Sequence, residues 1–212
     1  QGGGDWRLFA MPAAGGVAEL LLYREVTWLD DRSRHGSLAF VVHDAVTQAD
    51  IWLLSLTSRK ATALLTSKDG ERFPALSPNG RLLAYVSDRS KPTDVFVIRV
   101  DKPLEPISVS LGGGSLPRWA NDRELFYTDG ARIKLVKISE RPDGLLSEPP
   151  EALPFAVSRY AVVSGLAVPY FNVTPDGQRF IMIEQLPGTA PPNELSLVTN
   201  WATELTRKLG GR

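Results

Sequence analysis

The sequence predicts an all-β protein built as a β-propeller, and three observations carry that prediction. A strand–turn–strand unit recurs along the chain, its apolar runs are rich in β-branched and aromatic residues, and Pro, Asn, Asp and Gly punctuate it. The stretches RFPALSPNGRLLAYVSDR (72–89) and YFNVTPDGQRFIMIE (170–184) are the two clearest copies. In both turns Pro pre-sets φ, Asn or Asp tolerates the left-handed region and Gly accepts positive φ, so the flanking runs are expected to pair as hairpins.

The residue two places before the turn proline is a landmark: Leu76 in one copy and Val173 in the other. Trp119 holds that place in LPRWANDRELFYTDG (116–130) and Trp28 in VTWLDDRSRHGSLAFVV (26–42), where the turns are shorter or looser. Trp28, Leu76, Trp119 and Val173 are spaced by 48, 43 and 54 residues. An irregular period of about 40–50 is the length of a propeller blade. A single four-stranded unit buries neither face alone, and stacking units buries a continuous core.

Taken in order, 5–11 and 17–23 read as the last half of one unit. Runs 37–42, 82–86, 124–128 and 179–183 follow the turns as second strands. Polar-led third strands come next at 50–56, 94–100 and 132–138, and weaker fourth strands at 61–65, 106–109 and 151–155. The expected blades are 5–23 (half), 26–65, 73–109, 116–155 and 169–199, the last ending on a strand at 194–199. They form a partial propeller of about four to five four-stranded blades over 1–199. After Asn200 the spacing of Trp201, Leu205 and Leu209 predicts a short amphipathic helix over 200–209, capped by Thr199 or Asn200 and ended by Gly210-Gly211. Its apolar face is expected to pack on the propeller. The opening Gln1-Gly2-Gly3-Gly4 enters in mid-unit without an initiator methionine, as a piece of a longer protein would, and further propeller residues are expected upstream.

Composition narrows the function. Lys plus Arg number 24 and Asp plus Glu 24, with no long run of either sign, so no nucleic-acid partner is expected. Cysteine is absent, which excludes disulfides, cysteine-based zinc sites and thiol nucleophiles and leaves cytosol and periplasm both open. No apolar run reaches the ~18 residues of a membrane-spanning helix, and no direct membrane insertion is expected.

The stretch FPALSPNGRLLAYVSDRSKPTDVFVIRV (73–100) resembles a repeat of the TolB-type, WD40-like β-propellers, whose pattern runs from an apolar residue through Ser-Pro-Asp-Gly, an apolar strand and Ser-Asp-Arg to an Asp-led strand. FNVTPDGQRFIMIE and NELSLVTNWATELTRKL resemble the last blade and tail of propellers at the C-terminal ends of some bacterial serine/threonine kinases and membrane-anchored transcription regulators. The resemblance implies a non-catalytic protein- or ligand-binding module in a periplasmic or extracytoplasmic setting. It also admits an accessory propeller beside a hydrolase or kinase domain.

The residues themselves offer little chemistry. A propeller-bearing serine hydrolase needs a Gly-x-Ser-x-Gly elbow, which neither Ser164-Gly165 nor Gly114-Ser115 supplies. His35 and His43, with Asp44, are the nearest candidates for a triad or metal set. They belong to one expected hairpin, at opposite ends of one strand, and read as surface or edge histidines. Gly112-Gly113-Gly114 lacks the companions of a phosphate loop and reads as a flexible turn between blades. Asp69-Gly70-Glu71 and Asp143-Gly144 read as loops with too few acids for calcium. Asn172-Val173-Thr174 matches a glycosylation acceptor but overlaps an expected core strand. Trp28, Trp52, Trp119 and Phe96 form a conceivable stacking set, but Trp28 and Trp119 hold the repeat landmark and read as blade core. No catalytic residue, metal ligand or cofactor is assigned, and the chain is not expected to be an enzyme.

Propeller topology places one class of loops on a single face. Arg72, Asp88, Arg89, Arg118, Arg159 and Tyr160 are the partner-binding residues expected there, for a protein or a small ligand, with Lys68, Asp69, Glu71 and Lys91 beside them. Asp88-Arg89 also reads as an ion pair or turn cap within its own loop. The segment 156–168 is the longest insertion on that face.

Overall fold

The structure, a computed structural model, describes residues 8–22, 26–32, 36–130, 132–156 and 171–182. The strand expected at 194–199 and the helix expected at 200–209 lie outside these residues. Within them all regular structure is β, in small antiparallel sheets.

A hairpin of β1 (Leu8–Ala10) and β2 (Glu19–Leu22) comes first. Two four-stranded sheets follow in meander order: β3 (Val26–Arg32), β4 (Ser37–Asp44), β5 (Gln48–Ser55) and β6 (Ala61–Leu65), then β7 (Glu71–Leu76), β8 (Leu82–Ser87), β9 (Asp94–Arg99) and β10 (Lys102–Ser108). The next sheet holds β11 (Ser115–Trp119), β12 (Glu124–Thr128), β13 (Arg132–Arg141), β14 (Gly144–Ser147) and β15 (Glu151–Ala156). A hairpin of β16 (Phe171–Val173) and β17 (Phe180–Met182) closes the described part. The three larger sheets are referred to below as the first, second and third blades.

The second strand of each blade explains the packing. Successive side chains of a strand point to opposite faces of its sheet. Along β8, Leu82, Ala84 and Val86 meet Leu125, Tyr127, Val136 and Ile138 of the third blade, while Leu83 and Tyr85 meet Ala39, Val41 and Ile51 of the first. Along β12, Leu125 and Tyr127 face the second blade, and Phe126 faces Phe171 of β16. Along β4, Phe40 and Val42 pack with Leu8 of the opening hairpin. Each sheet is thus buried on both faces, which is why its middle strands read as continuous apolar runs rather than alternating ones. Fully burying one such leucine or valine contributes about 1.5–3 kcal/mol.

The first strands β3, β7, β11 and β16 pack in succession against one another and form the inner edge, whereas β10 lies at the outer edge of its blade. Pro103 and Pro106 sit on β10, where its register shifts between Lys102 and Ile107. Proline is tolerated there because an edge strand has no second neighbour to supply with an N–H.

The two proline turns fold alike. The Ser77 hydroxyl oxygen accepts the Leu82 N–H at 3.0 Å and Asn79 Oδ1 accepts the Arg81 N–H at 2.9 Å. Thr174 Oγ1 likewise accepts the Arg179 N–H at 3.1 Å, and Asp176 Oδ1 the Gln178 N–H at 3.0 Å. Gly80 and Gly177 have φ of 72° and 69°, which suits residues without a Cβ. The hydroxyl, the carboxamide or carboxylate and the glycine of the motif each serve one backbone need.

One departure concerns the third blade. Asp143-Gly144 was expected in a loop, yet Gly144 opens β14. Strand β13 runs ten residues, pairing β15 through Arg132–Leu135 and β14 through Ile138–Arg141. The added hairpin is tied to the second blade by Arg81 and Glu140 at 2.8 Å.

Candidate functional site

The loop end of the second blade gathers three of the expected binding residues, Arg72, Asp88 and Arg89. Asp69 and Gly70 lead into β7, and Asp88 and Arg89 follow β8. Because Glu71 pairs with Ser87 across the two strands, the loops meet. Asp88 Oδ1 accepts the Gly70 N–H at 2.7 Å. A Cβ on Gly70 would lie 3.2 Å from Asp88 Oδ2 and 3.3 Å from Arg72 Nη2, so Gly70 is the point on which both side chains converge. Arg72 is exposed.

Arg89 does not pair with its neighbour Asp88. Its guanidinium lies 4.0 Å from Asp69 Oδ2 and 3.7 Å from Glu71 Oε1, over the ring of Phe96 at 5.0 Å and within 6.0 Å of that of Tyr85. An arginine above an aromatic face gains about 0.5–1 kcal/mol where exposed. Asp88 therefore acts as a cap, but on the preceding loop, and Arg89 forms a layer over the blade core.

Beneath Arg89 the site turns acidic. Glu71 is fully buried, and its Oε1 accepts the Ser67 hydroxyl. Burial first, and then the charges of Asp50 and Asp69, push the Glu71 carboxyl above the ordinary glutamate value, while Ser67 and Arg89 act the other way. Burial holds the Tyr85 phenol at about 12. Asp50, at the head of β5 in the first blade, accepts the Thr47 hydroxyl on Oδ2 at 2.9 Å.

Arg118 lies within β11 and donates to the Pro117 carbonyl at 3.0 Å. Lys68 and Lys91 are exposed. Arg159 and Tyr160 fall outside the described residues, as does His35. His43 is exposed with Nδ1 2.9 Å from the Gln48 carbonyl oxygen. Among the described residues no group of three or more His, Asp or Glu side chains is placed to hold a metal ion. The aromatic set is not brought together: Phe96 lies between the first and second blades, Trp119 between the second and third, and Trp52 on the far face of the first. The side chain of Trp28 is not described.

The glycine run is pinned rather than flexible. The Gly113 N–H and the Ser110 hydroxyl both donate to Asp94 Oδ1, at 2.9 and 3.0 Å, and the Gly114 N–H donates to the Thr93 carbonyl at 2.9 Å. The leading aspartate of the third strand is therefore a clasp for the loop to the next blade. Sequence reasoning did not single out Asp50, Ser67 or Tyr85. The recurrence of Asp at the heads of β5 and β9 was the available signal.

Blades stacked face to face, with their first strands packed in succession at the inner edge, are an arrangement seen in solved proteins. The structure of TolB from Acinetobacter baumannii superposes with a TM-score of 0.65 over 86% of this chain and 44% of that one, at 13% identity. The fold is that of the TolB β-propeller. A puromycin-hydrolyzing peptidase from Mycobacterium tuberculosis matches with a TM-score of 0.59 over 84% of this chain and 32% of that one, at 18% identity. The tricorn protease matches with a TM-score of 0.58 over 85% of this chain and 22% of that one, at 11% identity. The propeller thus spans less than half the length of each of these proteins. No family model and no curated protein matches its sequence. Among the described residues no helix is long and apolar enough to cross a membrane.

Proposed function

We propose that this propeller is a non-catalytic binding module, the sensory or interaction part of a larger bacterial protein acting in the periplasm or outside the cytoplasm. A protein or small ligand is recognised on the loop end of the second blade. The observation that carries this reading is one fixed cation there, Arg89, with an exposed second cation, Arg72, beside it. Arg72 is exposed beside an Asp88 anchored on backbone, and Arg89 is held over Phe96 between Asp69 and Glu71. A pre-positioned arginine such as Arg89 binds with less loss of side-chain freedom than a mobile one. Arg118 and the segment with Arg159 and Tyr160 complete the proposed surface. Nucleic acid is not the proposed partner, and no cofactor or membrane insertion is part of the reading.

The test is partner capture with the intact protein, comparing wild type with a variant carrying Arg72→Glu, Arg89→Glu and Arg118→Glu. A partner retained by the wild type and lost by the folded variant supports the reading, and unchanged retention refutes it.

The match to a peptidase favours a second reading, an accessory propeller that gates or positions a hydrolase or kinase domain of the same protein. Under it, the same substitutions change turnover of the attached domain without changing which proteins are retained.

A further inference from the structure

Asp50 and Asp94 hold the same place in adjacent blades, 44 residues apart at the heads of β5 and β9. Their surroundings differ. Asp94 Oδ1 accepts two hydrogen bonds, and the inner strand of the following blade begins with Ser115. Asp50 Oδ1 is buried with no hydrogen-bond partner, and the inner strand of its following blade begins with Glu71. By the 43-residue spacing of Leu76 and Trp119, and of the positive-φ residues Phe73 and Leu116, Glu71 holds the place of Gly114, so a carboxyl group stands where the next blade has no side chain.

Glu71 is 0% exposed along its side chain, and its Oε2 is also buried without a partner, as is the Tyr85 hydroxyl. Arg89, the one cation beside Glu71 among the described residues, stays at 3.7 Å with 28% of its side chain exposed, too far for a hydrogen bond. The groups facing Glu71 are Asp50 from β5, Asp69 from the loop before β7, and Tyr85 and Arg89 from β8 and the loop after it. Three other strands pack against β7. On β4, His43 is exposed at the Gln48 carbonyl. On β11, Arg118 donates to the Pro117 carbonyl. On β3, Val26 is level with Asp50, since both pair Val42, and Asp30, Asp31 and Arg32 lie toward the other end. An ionised carboxylate with an unsatisfied oxygen in this place costs far more than the neutral acid.

We propose that Glu71 is a proton-operated latch on the seam between the first and second blades. With its proton, Glu71 is a neutral group filling the seam. When the proton leaves to water, two carboxylates on different blades, Asp50 and Glu71, repel each other, and Arg89 is drawn inward off Phe96. The seam then loosens at its loop end. The sign follows from the direction of the shift: stability is full below the ordinary glutamate value of 4.5 and is lost as pH rises through the higher folded value. The latch does not depend on the identity of any partner.

The experiment is a pH titration of the intact protein with carbon-13 in the glutamate carboxyl groups, the Glu71 signal being assigned through its backbone, together with Tm against pH for wild type, Glu71→Gln and Asp50→Asn. The Glu71 midpoint is expected above 4.5 and lower in Asp50→Asn than in wild type. Wild-type Tm is expected to fall across that window, while Glu71→Gln removes the fall and has the higher Tm at its alkaline end. A Glu71 midpoint at or below 4.5 overturns the proposal, as does a Glu71→Gln variant that loses the same Tm at every pH. The wild-type titration decides the matter even if a variant does not fold.

Discussion

Trp119, on the inner strand of the third blade, donates its indole N–H to the backbone carbonyl of Ala75, on the inner strand of the second, at 2.9 Å. The indole body packs against the apolar seam between the same two blades. One side chain therefore joins neighbouring blades by burial and by a directed bond. Trp119→Phe keeps most of the apolar surface and leaves the Ala75 carbonyl without this donor. A loss of about 1–3 kcal/mol is expected, measured by urea unfolding of the intact protein. An effect near zero would mean that packing alone sets the seam.

The two proline turns share their bonds but differ in burial, so they separate in energy. Ser77 is fully buried and serves the buried Leu82 N–H, whereas Thr174 is only half-buried. Ser77→Ala is expected to cost about 1–3 kcal/mol, because a buried donor is left unmet, and Thr174→Ala about 0.5–1.5 kcal/mol. Equal costs in denaturant unfolding would contradict the difference in burial.

Gly114 has no room for a side chain. A Cβ there would lie 2.5 Å from Ser110 Oγ, 2.6 Å from Ser110 Cβ and 3.0 Å from Val95 Cγ2. Gly114→Ala is expected to cost about 1–3 kcal/mol by overpacking, read in the same unfolding assay. It also displaces the Ser110 hydroxyl from Asp94. Faster amide exchange at Gly113, which donates to that aspartate, should accompany the loss.

At acid pH other carboxylates govern stability. The Thr174 hydroxyl and the Gln178 N–H hold the Asp176 carboxyl below its ordinary value, and the Val46 and Thr47 N–H groups do the same for Asp44. A depressed folded value gives stability that is present above the ordinary 3.8 and lost as pH falls through the folded value. Asp176→Asn and Asp44→Asn should therefore flatten the decline of Tm below about pH 4. Unchanged acid slopes in both variants would show that these exposed turns open locally, without coupling to the blades.

The blades were legible because their chemistry is local. The run at 82–86 was readable as a strand since both of its faces are buried, and β8 covers it. The hairpin of β13 and β14 was not, because Ser139-Glu140-Arg141 extends into solvent and carries no apolar period to mark a strand. Arg72, Asp88 and Arg89 were placed at one loop end by their position in the repeat, and the pairing of Glu71 with Ser87 brings those loops together. Asp50 was missed because it reaches Glu71 only once two blades are stacked, and Tyr85 because it meets Glu71 and Arg89 only through the pairing of β7 with β8.

By itself the sequence determined the repeat, its turns and the strands whose faces are buried between blades. Those follow from backbone preference and from alternation over a few residues. Only the tertiary structure decided what each charged side chain meets. Asp88 turns to Gly70 rather than to Arg89, and Glu71 is buried within the field of an aspartate from the preceding blade. The physical reason is that burial and electrostatic coupling depend on distance in space, and strand pairing and blade stacking bring together residues that are far apart along the chain.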